Sequence, residues 1–382
     1  MITAPAPASD RTLALAFAGA TATLSGNGLA RFAYVPLFPA MVTAGWVSGA
    51  EAGLLGALNL AGYLVGVLSA RSLARRLGTP AALNLGMALV VLSLSACAWH
   101  AGVPWLAFWR GAAGIAGGIL MALAGPAVQG AVPAARRGFA GGIVLSGVAG
   151  GVVASALVVP TFLEAGIPET WLGLALVAAV LWACAARAWP SGDIVIPTAP
   201  SAGAGRLYVA YALSAGAFVP HMVYFADLVV RGRSMGLDQA ALAWLLFGLG
   251  GLPGPLLVGR MADRWGAGTA LRIGIGIQIA SLALVFVPGR LAVMSAAALG
   301  GFTAVGIAAA ALARARELAG PAAGAIWVRA TAGFAVAQAL TGFALAALFS
   351  RTESHDALFA AGLALAVGAL VPLLFPASQA SA

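Results

Sequence analysis

Five ionisable side chains fall within long apolar runs of this sequence: Arg31, Arg110, Arg329, His221 and Asp227. A charge held away from water is costly, so each is a candidate for binding a charged ligand or moving a proton. Arg31 shares a polar stretch with Asn27 and Tyr34, and Pro36 and Pro39 follow. Such prolines are expected to kink a helix and turn backbone groups toward a cavity; the plainer reading is an arginine snorkelling to the membrane interface. Arg110 is followed by Gly111, Gly114, Gly117 and Gly118. The glycines read as close-packing positions between helices, and the arginine as a fixed cation that grips an anion or tunes a proton carrier. Histidine in water titrates at a pKa of about 6.5, and His221 has Tyr224 one turn further on, so it is expected to exchange a proton, unless it only bonds a neighbouring carbonyl. Asp227 stands four residues before Arg231, the spacing of a local ion pair. Trp327, two residues from Arg329, is a candidate cavity aromatic. Arg31, Arg110, Arg329, Asn27, Tyr34, Tyr224 and Trp327 thus form the expected ligand-binding set, with His221 and Asp227 as proton carriers. Three intramembrane arginines against one carboxylate suit a small organic anion better than a lipophilic cation, which would need a buried acid. No spacing of Cys, His, Asp or Glu suggests a metal, and no cofactor is expected; Cys97 and Cys184 read as buried free thiols.

These groups need elements that hold them in lipid. The 382 residues are 62% hydrophobic and 8% charged, with a mean hydropathy of +1.00, which excludes a soluble domain with an ordinary charged surface. Apolar runs of about 20 residues, the length that crosses a bilayer core, recur along the chain. The pattern predicts twelve helical spans, roughly 13–41, 52–70, 80–99, 104–129, 139–163, 170–188, 207–230, 240–258, 269–287, 291–312, 322–349 and 358–374. Helices are required, because an open sheet edge cannot be satisfied in lipid and no barrel alternation is present. The first run lacks a basic leader and reads as an uncleaved helix. Trp46, Trp99, Trp105, Trp171 and Trp189 fall near span ends and read as interfacial anchors. The net charge of +9 does not indicate nucleic acid, since every basic residue is an arginine and they are dispersed between spans. With the N-terminus inside, thirteen arginines lie on the inner side and four on the outer, which orients both termini inward.

The chain also matches itself at an offset of 188 residues: Gly66 with Gly254, Ala74 with Ala262, Arg76 with Arg264, Gly78 with Gly266, Leu83 with Leu271 and Gly86 with Gly274. A repeat of half the length predicts two six-helix halves with a ligand site between them near the midplane. Residues 1–189 and 207–382 are the expected halves, and 190–206, rich in Pro, Ser, Gly and Ala, the expected cytoplasmic linker.

Gly259, Asp263, Arg264 and Gly266 stand in the spacing Gly-x-x-x-Asp-Arg-x-Gly, and the first-half turn keeps Arg75, Arg76 and Gly78 with Arg75 where the acid should be. This turn resembles the signature loop of the major facilitator superfamily. More narrowly, Gly28 to Pro36, Val219 to Val223, Arg314 to Glu317 and Trp327 to Thr331 resemble the YbfB/YjiJ family of bacterial transporters. The resemblance implies an all-α membrane protein of twelve helices in two pseudo-symmetric bundles. It further implies secondary transport across the bacterial inner membrane, with Gly259, Asp263, Arg264, Arg75 and Arg76 acting in gating. Combined with the arginines, the expectation is a monomeric, proton-coupled carrier of a small organic anion. A drug or metabolite efflux pump for neutral or amphipathic compounds is the competing reading. A membrane enzyme or sensor is the remote one, as there is no intramembrane His/Asp/Glu cluster, metal spacing or soluble catalytic loop.

Overall fold

The computed structural model describes residues 8–190 and 204–374. Among them are eleven helices long and apolar enough to cross a membrane and one bent pair that makes a twelfth. In chain order these are α1 (Arg11–Thr43), α2 (Gly49–Leu77), α3 (Thr79–Cys97), α4 (Val103–Ala131), α5 (Arg137–Leu163), α6 (Ile167–Ala185), α7 (Gly205–Val223 with Phe225–Gly232, bent by 47°), α8 (Leu237–Trp265), α9 (Ala267–Leu284), α10 (Arg290–Ala319), α11 (Ala323–Thr352) and α12 (His355–Leu374). Each coincides with one expected span, and α2, α8 and α10 run about two turns further at their arginine-rich ends. Residues 191–203, which hold most of the expected linker, lie outside the described residues.

Local chemistry explains where the helices start and turn. At α2, Ser48 accepts from the Glu51 amide and Glu51 accepts from the Ser48 amide, a capping box that satisfies two otherwise orphaned donors. Single glycines join α2 to α3 and α8 to α9, Gly78 at φ 84° and Gly266 at φ 82°. Only glycine takes such a left-handed turn without strain. The two positions are repeat mates, so the 188-residue offset reappears as the same turn in both halves.

The halves meet through α2 against α11, α5 against α8, and the outer part of α1 against α7. Small residues allow this closeness. A Cβ on Gly56 would lie 2.6 Å from Val223, and one on Gly53 would strike the Tyr224 ring at 3.0 Å. α1 itself is irregular: Leu24–Phe32 forms wide π-type turns. Gly28 sits against Gly151 of α5, and Gly117 of α4 approaches the Gly26 carbonyl.

Two anchor and thiol expectations are corrected. Trp171 is fully buried, stacked 6.4 Å from the Tyr34 ring, because the widened α1 swings Tyr34 into the first half rather than outward. Cys184 is exposed on α6 while Cys97 is buried.

Candidate functional site

A cavity of about 140 Å³ lies between the halves, lined by α1, α2, α4, α5, α7, α8, α10 and α11. Its one charged lining residue is Arg31, 8% exposed. The guanidinium Nη2 donates to Gln338 Oε1 of α11 at 2.6 Å and approaches Met222 Sδ of α7 at 3.8 Å. Its Cζ lies 4.7 Å from the Tyr63 ring centroid, a cation–π contact. The buried Nε has no protein partner. Asn27 and Trp327 line the same space, together with Tyr211 and Thr331. The cavity reaches toward the arginine-rich ends of the helices, as Tyr211 and Trp327 stand on the second turns of α7 and α11. At the other end Tyr224 is packed against Phe38 and Phe349, with centroids 5.7 and 5.5 Å apart, and closes the space.

Arg110 does not reach the cavity. It is 1% exposed and donates through Nη1 to the Ala30 carbonyl at 2.8 Å. Its Cζ lies 4.3 Å from the Tyr34 ring and 5.8 Å from that of Trp171. Asn59 Nδ2 reaches the same carbonyl at 3.4 Å and the Arg110 carbonyl at 3.0 Å. The Ala30 carbonyl, among the wide turns of α1, is taken up by Arg110 and Asn59, and no cavity opens there. Tyr34 donates to the Ala52 carbonyl at 2.8 Å and is likewise away from the cavity.

His221 also stands apart from Arg31, against expectation. It is 1% exposed and ringed by Phe225, Phe359, Phe218 and Phe247 at 5.1 to 6.4 Å. Ser281 gives its only proton to the Ala296 carbonyl at 2.8 Å, so in the 3.2 Å contact with His221 the ring Nε2 is the donor. One residue along a helix turns a side chain by about 100°. It is Met222, not His221, that faces Arg31. Arg329 is exposed on α11 and is not among the cavity residues.

Asp227 forms the expected ion pair and more. Arg231 grips it with two bonds of 2.6 Å, and His355 Nε2 lies 2.7 Å from Oδ2. The carboxylate is fully buried at the closed end. Around it stand Arg233, Asp356 and Glu353, facing Ser48, Gly49 and Ala50 of the first half. A Cβ on Gly49 would lie 2.6 Å from Arg231 Nη2. His355 and Gln338 were missed from the sequence. His355 stands three residues before the expected span 358–374 and opens α12. Gln338 carries no charge, although Trp327, Thr331, Phe334 and Gln338 fall at the i, i+4, i+7, i+11 spacing of one helix face.

A family model described as "Uncharacterised MFS-type transporter YbfB" matches residues 23–373. The chain belongs to this major facilitator family. Members are transporters, which sets enzyme chemistry aside. The crystal structure of a D-xylose-proton symporter aligns with a TM-score of 0.73 over 96% of this chain and 98% of its own, at 17% identity. At that identity the likeness carries the fold alone. No curated protein matches this chain. In this facilitator the signature residues Asp263 and Arg264 are exposed at the arginine-rich end of α8, and Gly259 is half-buried one turn before Asp263. In the first half Arg75 donates to Ser72 at 3.3 Å, and both Arg75 and Arg76 are exposed at the end of α2. Beside the second turn, Glu317 accepts from the Ala267 amide at the start of α9 and pairs with Arg314 at 2.7 Å. The motif Arg314 to Glu317 therefore ties α10 to the signature turn.

Proposed function

We propose that this facilitator moves a small organic anion across the bacterial inner membrane by alternating access, coupled to protons, with Arg31 holding the negative charge. The carrying observation is the position of Arg31: buried between the halves, on the cavity, bonded to the opposite half through Gln338, and with Nε unpartnered. A cation held in a dry site needs an anion or strong acceptors to offset its desolvation. With both termini cytoplasmic, as the arginine bias favours, the cavity opens inward and the Tyr224 end is the closed outer gate. The monomer suffices, since the site lies within one chain.

Proton coupling in this reading falls to Asp227 with His355. His221 is walled in by aromatic rings, whereas Asp227 and His355 join α7 to α12 at the gate, facing Arg231, Arg233, Asp356 and Glu353. A proton on the carboxylate would weaken the grip of Arg231 and loosen the outer closure. Efflux of amphipathic compounds is the second reading, favoured by the apolar lining of the cavity. The test is uptake into proteoliposomes across a panel of organic anions and neutral drugs, with and without a pH gradient. Gradient-driven anion movement lost in Arg31→Ala supports the proposal. Transport of neutral drugs that is indifferent to Arg31 would overturn it in favour of the second reading.

A further inference from the structure

The geometry points to a narrower ligand: a monocarboxylate with an apolar body about the size of one ring, whose carboxylate takes the place now held by the Gln338 carboxamide on Arg31. This rests on Arg31 being the anion site, and sharpens it from three observations. First, Arg31 is the one charged side chain among the residues lining the cavity. A second carboxylate on the ligand would enter low-dielectric surroundings without a partner, which disfavours its charged form. Second, the remaining lining is dominated by Val148, Val152, Phe218, Phe247 and Phe334 and similar groups, and the cavity of about 140 Å³ is close in size to an apolar cavity of roughly 150 Å³ known to bind benzene. A polyol would leave hydroxyls unpaired there, whereas a hydrocarbon ring is stabilised by leaving water.

Third, the guanidinium is only half used. Nη2 is occupied by Gln338 Oε1 at 2.6 Å, and Nε, on the same edge of the fork, has no partner. A carboxylate grips an arginine edge with two parallel bonds, so one replacing the carboxamide would satisfy both nitrogens at once. Gln338 is itself held by Met222, its Nε2 lying 3.1 Å from Sδ, and so serves as a neutral plug on the guanidinium. Gln338 thereby sets specificity: a ligand must outcompete an amide, which a carboxylate does and a hydroxyl does not.

The experiment is equilibrium binding to the purified full-length protein, using benzoate, cyclohexanecarboxylate, terephthalate and xylose, with melting curves confirming that each variant folds. Benzoate and cyclohexanecarboxylate are expected to bind competitively. Terephthalate, which differs from benzoate by one added carboxylate, is expected at least about tenfold weaker, as is xylose. Gln338→Ala removes the plug and should bind benzoate more tightly than the parent. Gln338→Glu places a permanent carboxylate on Arg31 and should weaken benzoate at least about tenfold. Terephthalate binding as tightly as benzoate, unchanged or weakened benzoate binding in Gln338→Ala, or undiminished binding in a folded Gln338→Glu would each overturn the inference. If terephthalate binds through Arg31, the anion reading survives and only this refinement fails. If no anion binds, both fail.

Discussion

Arg31 and Arg110 have the same side chain at nearly the same depth and meet different fates. Arg31 ends on the cavity with an unpartnered nitrogen, and Arg110 ends behind α1 with its charge spread over Tyr34, Trp171 and a carbonyl. Arg110 is thus a brace for the widened α1. Arg110→Met should leave the Ala30 carbonyl without its strongest donor and lower stability by about 1–3 kcal/mol, while anion affinity stays nearly unchanged. Melting and binding measured on one preparation check this; lost affinity with normal melting would return Arg110 to the ligand. That an ionisable group sits in the membrane was legible in the sequence. Which way it faces was not, because nine residues of π-type turns shift every later position of α1 off the regular helical projection. Gln338 escaped for a different reason, since a neutral amide in an apolar helix carries no cost large enough to single it out.

Helix ends and turns were easier to read than helix faces. The twelve spans follow from the length of the apolar runs, and Gly78 and Gly266 from their shared place in the repeat, whereas the bend in α7 after Val223 leaves no mark that Pro220 alone would predict. Two expectations belong to these elements. α2 and α7 close the outer end on a glycine face, so Gly53→Ala should drive its methyl into the buried Tyr224 and disfavour the closed state by about 1–3 kcal/mol. That is a shift of roughly 5- to 150-fold toward outer opening. Spin labels at Ser48 and Ser354, on opposite halves of the outer pocket, should report a longer separation. An unchanged distance would show that the ring yields instead. At the inner end, Asp263 is exposed and has no ion pair among the described residues, while Glu317 secures the neighbouring turn. Asp263→Asn should slow transport and spare equilibrium binding, because an acid at a helix end biases a switch rather than touching the ligand. Weakened binding with normal turnover would argue against it.

At the level of the whole molecule, two six-helix halves enclose one site that is sealed at the Tyr224 end and extends toward the arginine-rich end. The class of protein was evident from composition and repeat together, while the substrate was not, since it depends on which few side chains converge across two halves that share no local sequence. Labelling of a cysteine at Ser354 but not of one at Ser201 from outside intact cells is the expected topology, and the reverse would invert it. The solitary arginine has one more consequence. Asp227 and Arg231 cancel each other while the carboxylate is ionised, so the empty carrier bears the one uncompensated charge of Arg31. A monoanion neutralises Arg31, and the proton that travels with it on Asp227 uncovers Arg231 in its place. The carrier therefore has the same charge loaded and empty, a membrane voltage acts on both crossings alike, and a monoanion with a proton crosses without net charge. Current recorded from protein adsorbed on a supported membrane should then show equal and opposite charge movement in the two half-cycles, and a net current over the full cycle would contradict the assignment.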